Sequence, residues 1–189
     1  MHALRDALRA EPGLAASLLE RLRRADREDH VAASAIHALA LAGTTESQAA
    51  LVRLLEDDTI SRVDRLRAIV ATHAVARPDG LLLESLWRAT ASRRSKDEIE
   101  RSNTAYLALG ALAADEEAVR PPLKDRLLAR LEEAADADEI AILLGALGNA
   151  GDPHADAAVQ ARLDHDSAYV RRSAADALTM GDGDASLQL

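Results

Sequence analysis

Apolar residues recur along this chain at helical spacing, in short segments separated by glycine, proline or a capping residue. The clearest stretch is LGALGNAGDPHADAAVQARLDHDSAYVRRSAADAL, from Leu144 to Leu178. Leu144 to Ala150 ends one helix, and Gly151 supplies the left-handed conformation that closes a helix C-terminus. Asp152 caps the next helix and Pro153 occupies its first turn, where a missing N–H costs nothing. Ala157, Val159 and Leu163 give that helix an apolar side. Asp164 or Asp166 caps a further helix, with Val170, Ala174, Ala177 and Leu178 on one side.

The same grammar runs through the rest of the chain. Met1 to Ala10 predicts a short amphipathic helix using Leu4 and Leu8. After Pro12, a helix with Leu14, Leu18, Leu19 and Leu22 ends near Ala25. Asp26 caps its partner, which runs to Ala42 and stops at Gly43. Thr45 with Gln48 fits a capping box, as do Ser95 with Glu98. Ser61 starts a helix through Ala76; Leu81 to Ala91 follows Pro78. The helix after Ser95 runs to Ala114, Asp115 caps the next, and Pro121-Pro122 breaks or restarts it before about Ala134. Asp136 and Glu139 open the helix that ends at Gly151.

Aligning the second helix of each pair exposes a repeat. Leu39, Val75, Leu112, Leu147 and Leu178 are equivalent, at spacings of 36, 37, 35 and 31 residues. Each is preceded by alanine: Ala38, Ala74, Ala111, Ala146, Ala177. Each is followed by a small or nearly small residue: Ala40, Ala76, Ala113, Gly148, Thr179. Small residues on both flanks let helices approach closely, layer on layer. The predicted fold class is therefore all-α: a single right-handed α-solenoid of about five helix pairs over residues 1–189, with 181–189 a disordered tail or the start of a further repeat.

Composition narrows the function. The chain has no phenylalanine, one tryptophan and two tyrosines, which suits thin leucine–alanine layers. A net charge of −9 repels nucleic acid and anionic membranes. No apolar run reaches the ~20 residues of a membrane span, and the first ten residues lack a secretory apolar core, so the expectation is a cytoplasmic protein. With no cysteine, disulfides and thiolate zinc sites are excluded.

Gly151-Asp152-Pro153, Asp164, Asp166 and Val170-Arg171-Arg172 ahead of Ala174, Ala177 and Leu178 resemble HEAT repeats, particularly the short variety of phycobilin lyases. This resemblance covers the last quarter of the chain; the earlier repeats match by period and pattern. It implies an acid–arginine pair between repeats, placed on Asp166 and Arg171. SNTAYLALGALA and ALGNAGDP are similar to the helical superhelix of vitellogenin-type lipid-transfer proteins, although that family usually has cysteines in this region.

Positions i, i+3, i+7 and i+11 of the repeated helix predict the outward, concave face. They are His30, Ala33, His37 and Leu41; Leu66, Ile69, His73 and Arg77; Asn103, Tyr106, Gly110 and Ala114; Asp138, Ala141, Gly145 and Asn149; Tyr169, Arg172, Asp176 and Met180. The mixture is that of a protein-binding surface, and equally of a solvated face. The candidate partner-binding residues are His37, His73, Arg77, Asn103, Tyr106, Asn149 and Tyr169. His37 and His73 are predicted neighbours, with His30 the only other imidazole nearby, too few ligands for a metal-site signature. Arg88, Arg93, Arg94, Lys96 and Arg101 cluster, interleaved with Asp97, Glu98 and Glu100, as a solvated loop with local ion pairs does. No nucleophile–base pair, phosphate loop or metal motif is present. The sequence thus predicts a non-catalytic scaffold without cofactor that binds another protein and no nucleic acid or membrane. The alternatives are an accessory subunit of a chromophore lyase and the helical domain of a lipid-transfer protein. The tail GDGDASLQL predicts weak dimerisation through the C-terminal end, using Leu187 and Leu189.

Overall fold

The computed structural model describes residues 2–23, 29–151 and 157–181. All regular structure among them is helical: α1 His2–Ala10, α2 Leu14–Leu22, α3 Asp29–Ala42, α4 Thr45–Glu56, α5 Arg62–Ala71, α6 Gly80–Ala89, α7 Lys96–Asp115, α8 Arg120–Glu133, α9 Ala137–Ala150, α10 Ala157–Ala161 and α11 Ala168–Gly181. Short 3-10 turns extend α5 over Thr72–Ala74 and α10 over Arg162–Asp164. The chain divides into two compact units, Met1–Ala105 and Tyr106–Leu189.

In the first unit, helices pack on the helix two places along. α3 packs on α1 and α5, while α4 packs on α2 and α6. Leu8, Leu19, Ile36, Leu39, Leu51, Leu54, Ile69, Leu82 and Leu86 fill the space between these two layers. In the second unit α9 packs extensively on α11 and also on α8. Its core holds Tyr106, Leu109, Leu112, Leu127, Leu131, Leu144, Leu147 and Val170.

The repeat register marks the core. Leu39, Val75, Leu112 and Leu147 are buried, and Leu178 is half-buried. The small flanking residues set helix spacing. A Cβ added to Gly110 would lie 2.1 Å from the Ala146 carbonyl oxygen, so α7 and α9 touch through their backbones there. At Gly148 it would lie 3.1 Å from the Ala177 Cα of α11. A side chain at either position would have to push a helix away.

Several local expectations are revised. The N-cap of α4 is Thr44, whose Oγ1 accepts from the Ser47 N–H at 3.2 Å. Gln48 does not close a capping box with Thr45. Its amide donates to the carbonyls of Gly43 at 3.2 Å and Arg77 at 3.3 Å, and its Oε1 accepts from the Asp79 N–H at 2.8 Å. This buried glutamine thereby satisfies loop backbone groups that no helix ladder reaches. Ser61 caps α5 as expected, but the α-helix stops at Ala71. The Thr72 hydroxyl donates to the Ile69 carbonyl at 2.6 Å, and Arg77 adopts φ 59°, which redirects the chain toward Pro78. Asp115 belongs to α7; α8 opens at Arg120 with proline in its first turn. The Arg120 guanidinium donates to the Ala113 and Ala114 carbonyls, occupying acceptors that the end of α7 leaves open.

The Ser95–Glu98 capping box forms. Glu98 N–H donates to Ser95 Oγ at 3.2 Å, and the Ser95 N–H donates to Glu98 Oε2 at 3.1 Å. Asp136 caps α9, and Gly151 closes it at φ 82°. Arg171 does not meet the Asp166 carboxylate in the expected acid–arginine pair; it donates to the main-chain carbonyls of His165 and Asp166, both at 2.8 Å. The caps expected at Asp26 and at Asp152-Pro153, and the tail with Leu187 and Leu189, lie outside the described residues.

Candidate functional site

The predicted outward face is rotated. Ile69 and Tyr106, assigned to it from spacing, are buried, and Ala141 and Gly110 are buried with them. The residue after each of the first two is the exposed one: Val70 is 52 % and Leu107 36 % accessible. Close helix packing draws the bulkier Ile69 and Tyr106 inward and turns the next position out, 100° around the helix.

In the first unit this rotation opens a groove between α3 and α5, about 480 Å³ in volume. Ala33, Ile36, Val63, Leu66, Val70 and Ala71 form its apolar surface. Arg62, Arg67, His37, His73 and Glu100 supply its polar groups. Val63 is 50 % exposed. Val63, Leu66 and Val70 fall at i, i+3 and i+7 on one side of α5. The His73 Nδ1 lies 2.6 Å from the Val70 carbonyl, which fixes the ring beside the apolar stripe. Arg62 forms ion pairs with Asp97 at 3.1 Å and with Glu100, joining α5 to the start of α7. Arg67 pairs with the buried Asp64 at 3.2 Å, and Asp64 also accepts from the N-cap Ser61 hydroxyl.

Of the seven predicted site residues, the structure brings His37 and His73 into this one groove. Arg77 is exposed beyond the 3-10 turn, and its carbonyl is engaged by Gln48. Asn103 is half-buried, its Oδ1 accepting from Arg93 Nη1 at 2.6 Å. In the second unit Asn149 is half-buried and Tyr169 exposed. Tyr106 offers no surface to a partner: the residue is 1 % accessible and its hydroxyl donates to the buried Glu139 at 3.1 Å. Arg130 donates to the same Glu139 oxygen from Nη2 at 2.7 Å, and that bond raises its basicity above the ordinary arginine value. Val63 and Val70 are the groove-lining residues that spacing missed. The buried Ala68 marks the inner side of α5, and Val63 and Val70 lie roughly opposite to it.

The basic cluster is locally paired. Arg88 meets Glu56 at 2.6 Å, and Arg93 donates to Ser102 and Asn103. Beside it, the Glu98 carboxyl is held below its usual range by hydrogen bonds from Ser92 and from the Arg94 and Ser95 amides. Among the described residues, no three metal-binding side chains converge, and no helix is long and apolar enough to cross a membrane.

Alternate-helix layering, a 35-to-37-residue core register over the first four repeats and a groove on the repeated helix define an all-helical, repeat-like domain. The chain belongs to the vitellogenin TPR domain family, whose model matches residues 15–180. Of the two resemblances seen in the sequence, the vitellogenin-type one is thus the one supported, across most of the chain. No curated protein matches the sequence.

Proposed function

We propose that the chain is a non-catalytic helical interaction module, acting in the cytoplasm, that binds a partner protein through the α3–α5 groove. The observation that carries this reading is the half-exposed pair Val63 and Val70 beside His37 and His73. Leaving two β-branched side chains half in water forfeits apolar burial, and a partner covering them recovers it. A polar border around an apolar centre is the usual anatomy of such a surface. The core register and alternate-helix packing within each unit support a right-handed solenoid of about five HEAT-like pairs. The net charge of −9 supports a protein partner over nucleic acid. The test is capture of binding partners with the intact chain and with a Val63→Asp/Val70→Asp variant of unchanged helicity. A partner retained by the first and lost by the second supports the groove; equal retention moves the site elsewhere.

The family match favours a second reading, the helical domain of a longer lipid-carrying protein. Mass spectrometry of an organic extract of the purified chain tests it: lipid at a fixed molar ratio supports it, and a lipid-free protein argues for the interaction module. A weak homodimer through Leu187 and Leu189 is a separate proposal. Sedimentation that is concentration-independent removes it.

A further inference from the structure

The chain carries 23 arginines and lysines. Most of the described ones lie in α-helices, where the peptide bond that follows is paired along the helix and is not drawn out straight. Outside the α-helices the described ones are Arg23, Arg77, Arg93, Arg94 and Arg162. All but Arg94 are withheld from an enzyme that reads a free arginine. Arg23 is ion-paired with Glu20 and Asp57. Arg77 precedes Pro78, whose ring crowds the nitrogen side of the bond. Arg162 lies in a 3-10 turn and donates to the Leu131 carbonyl at 3.1 Å. Arg93 donates to Ser102 Oγ at 3.1 Å and to Asn103 Oδ1 at 2.6 Å.

Arg94 is exposed, and its side chain makes no hydrogen bond or ion pair among the described residues. Ser95, across the peptide bond, is exposed as well. Both lie in the segment 90–95 that joins α6 to α7, and exposed connections of this kind are where endopeptidases nick folded domains. One side chain latches the bond. Glu98 Oε2 accepts from the Arg94 N–H at 2.7 Å and from the Ser95 N–H at 3.1 Å. A peptidase cleft takes its substrate extended, so Glu98 has to release both amides before the bond is cut. The two sides of the bond are also tied together elsewhere. Arg93 grips Ser102 and Asn103, the Ser102 hydroxyl donates to the Thr90 carbonyl at 3.4 Å, and Arg62 pairs with Asp97 and Glu100.

We propose that Arg94–Ser95 is a processing site, at which an arginine-specific serine endopeptidase severs the native chain and leaves the two pieces docked. Such an enzyme takes the arginine into a pocket with a carboxylate at its base, which a free guanidinium enters and a tethered one does not. The overall step is hydrolysis. The C–N bond between Arg94 and Ser95 breaks, and a C–O bond forms to a water oxygen. Arg94 ends as a carboxylate and Ser95 as an α-ammonium, while the peptidase serine is returned unchanged. The nitrogen that becomes the ammonium is the one Glu98 already holds, so a neutral hydrogen bond turns into a charge-assisted one. Glu98 is thus the latch before the cut and the counter-ion after it.

The experiment treats the intact chain with a trace of trypsin under native conditions and follows the products by intact-mass spectrometry. Within the stretch from Asp29 to Gly151, cleavage at Arg94–Ser95 is expected to be at least about tenfold faster than at any other arginine or lysine. Arg94→Gln, a change at an exposed side chain without a partner, should abolish this cut without passing it to Arg93. Glu98→Ala should speed the cut by about tenfold by raising the population of the open loop. General unfolding of that variant would speed every site; release of the latch speeds this one. The nicked chain should run as one species in native gel filtration and separate into two in urea. A faster cut elsewhere in that stretch, or transfer of the cut to Arg93 at an unchanged rate, overturns the site. An unchanged rate in Glu98→Ala overturns the latch, and pieces that separate without urea overturn the docking.

Discussion

The hydroxyl of Tyr106 donates to Glu139 Oε1 across 3.1 Å of buried space, linking α7 to α9. Arg130 of α8 completes the arrangement, with Nε at 3.1 Å and Nη2 at 2.7 Å from the same oxygen. Three helices are joined by a charge-assisted network, each member satisfying another. Tyr106→Phe keeps the ring and the ion pair, so the expected loss is about 1 kcal/mol. Glu139→Ala strands the tyrosine hydroxyl and the buried part of Arg130. Its cost should be larger, about 2–3 kcal/mol, reduced from the fully buried case because Arg130 is partly in water. Urea unfolding of both variants checks the order; equal losses would refute the network.

Two glycines should respond in opposite directions to alanine. Gly110→Ala drives a methyl group into the Ala146 backbone, where nothing can rotate away, and should cost about 3 kcal/mol. At Gly145 the nearest atom to an added Cβ is Leu107 Cδ2 at 3.5 Å, an ordinary contact. Gly145→Ala should stabilise α9 by about 0.5–1 kcal/mol through helix propensity. Thermal unfolding of the pair distinguishes close packing from propensity.

Gln48 and Arg77 meet at the turn between α5 and α6, where the Gln48 amide donates to the Arg77 carbonyl. Gln48→Leu leaves two carbonyls and the Asp79 N–H without this partner and should cost about 2–3 kcal/mol. Arg77 holds φ 59°, which glycine adopts without Cβ strain. Arg77→Gly should therefore be neutral or stabilising, by up to about 1 kcal/mol. Chemical unfolding midpoints compare the two.

The start of α7 should loosen in acid. Glu98 is held below its usual range chiefly by the Ser92 hydroxyl, then by the Arg94 and Ser95 amides. A carboxyl depressed by folding contributes stability above its unfolded pKa and loses it as pH falls through the folded one. Amide exchange at Arg94 and Ser95, corrected for its intrinsic pH dependence, should show protection falling as pH drops below the ordinary glutamate range. Glu98→Gln should flatten that dependence. An unchanged pH profile in the variant would exclude Glu98 as the cause.

The sequence by itself determined the helices, their caps at Ser61, Ser95 and Asp136, the stop at Gly151, and the repeated Ala–Leu register. These are local: a hydroxyl three residues from an orphan N–H, or a glycine where φ must be positive, needs no distant partner. Tertiary structure decided which way each helix face turned. Spacing alone placed Ile69 and Tyr106 outward, but packing against neighbouring helices buries both. That rotation exposes Val63 and Val70 beside His37 and His73, two imidazoles the repeat spacing had already placed together. It also moves Gln48 from an expected cap to a bridge between loops. A helix one residue out of phase has the same period and nearly the same local energy, so only packing against its neighbours selects between the two.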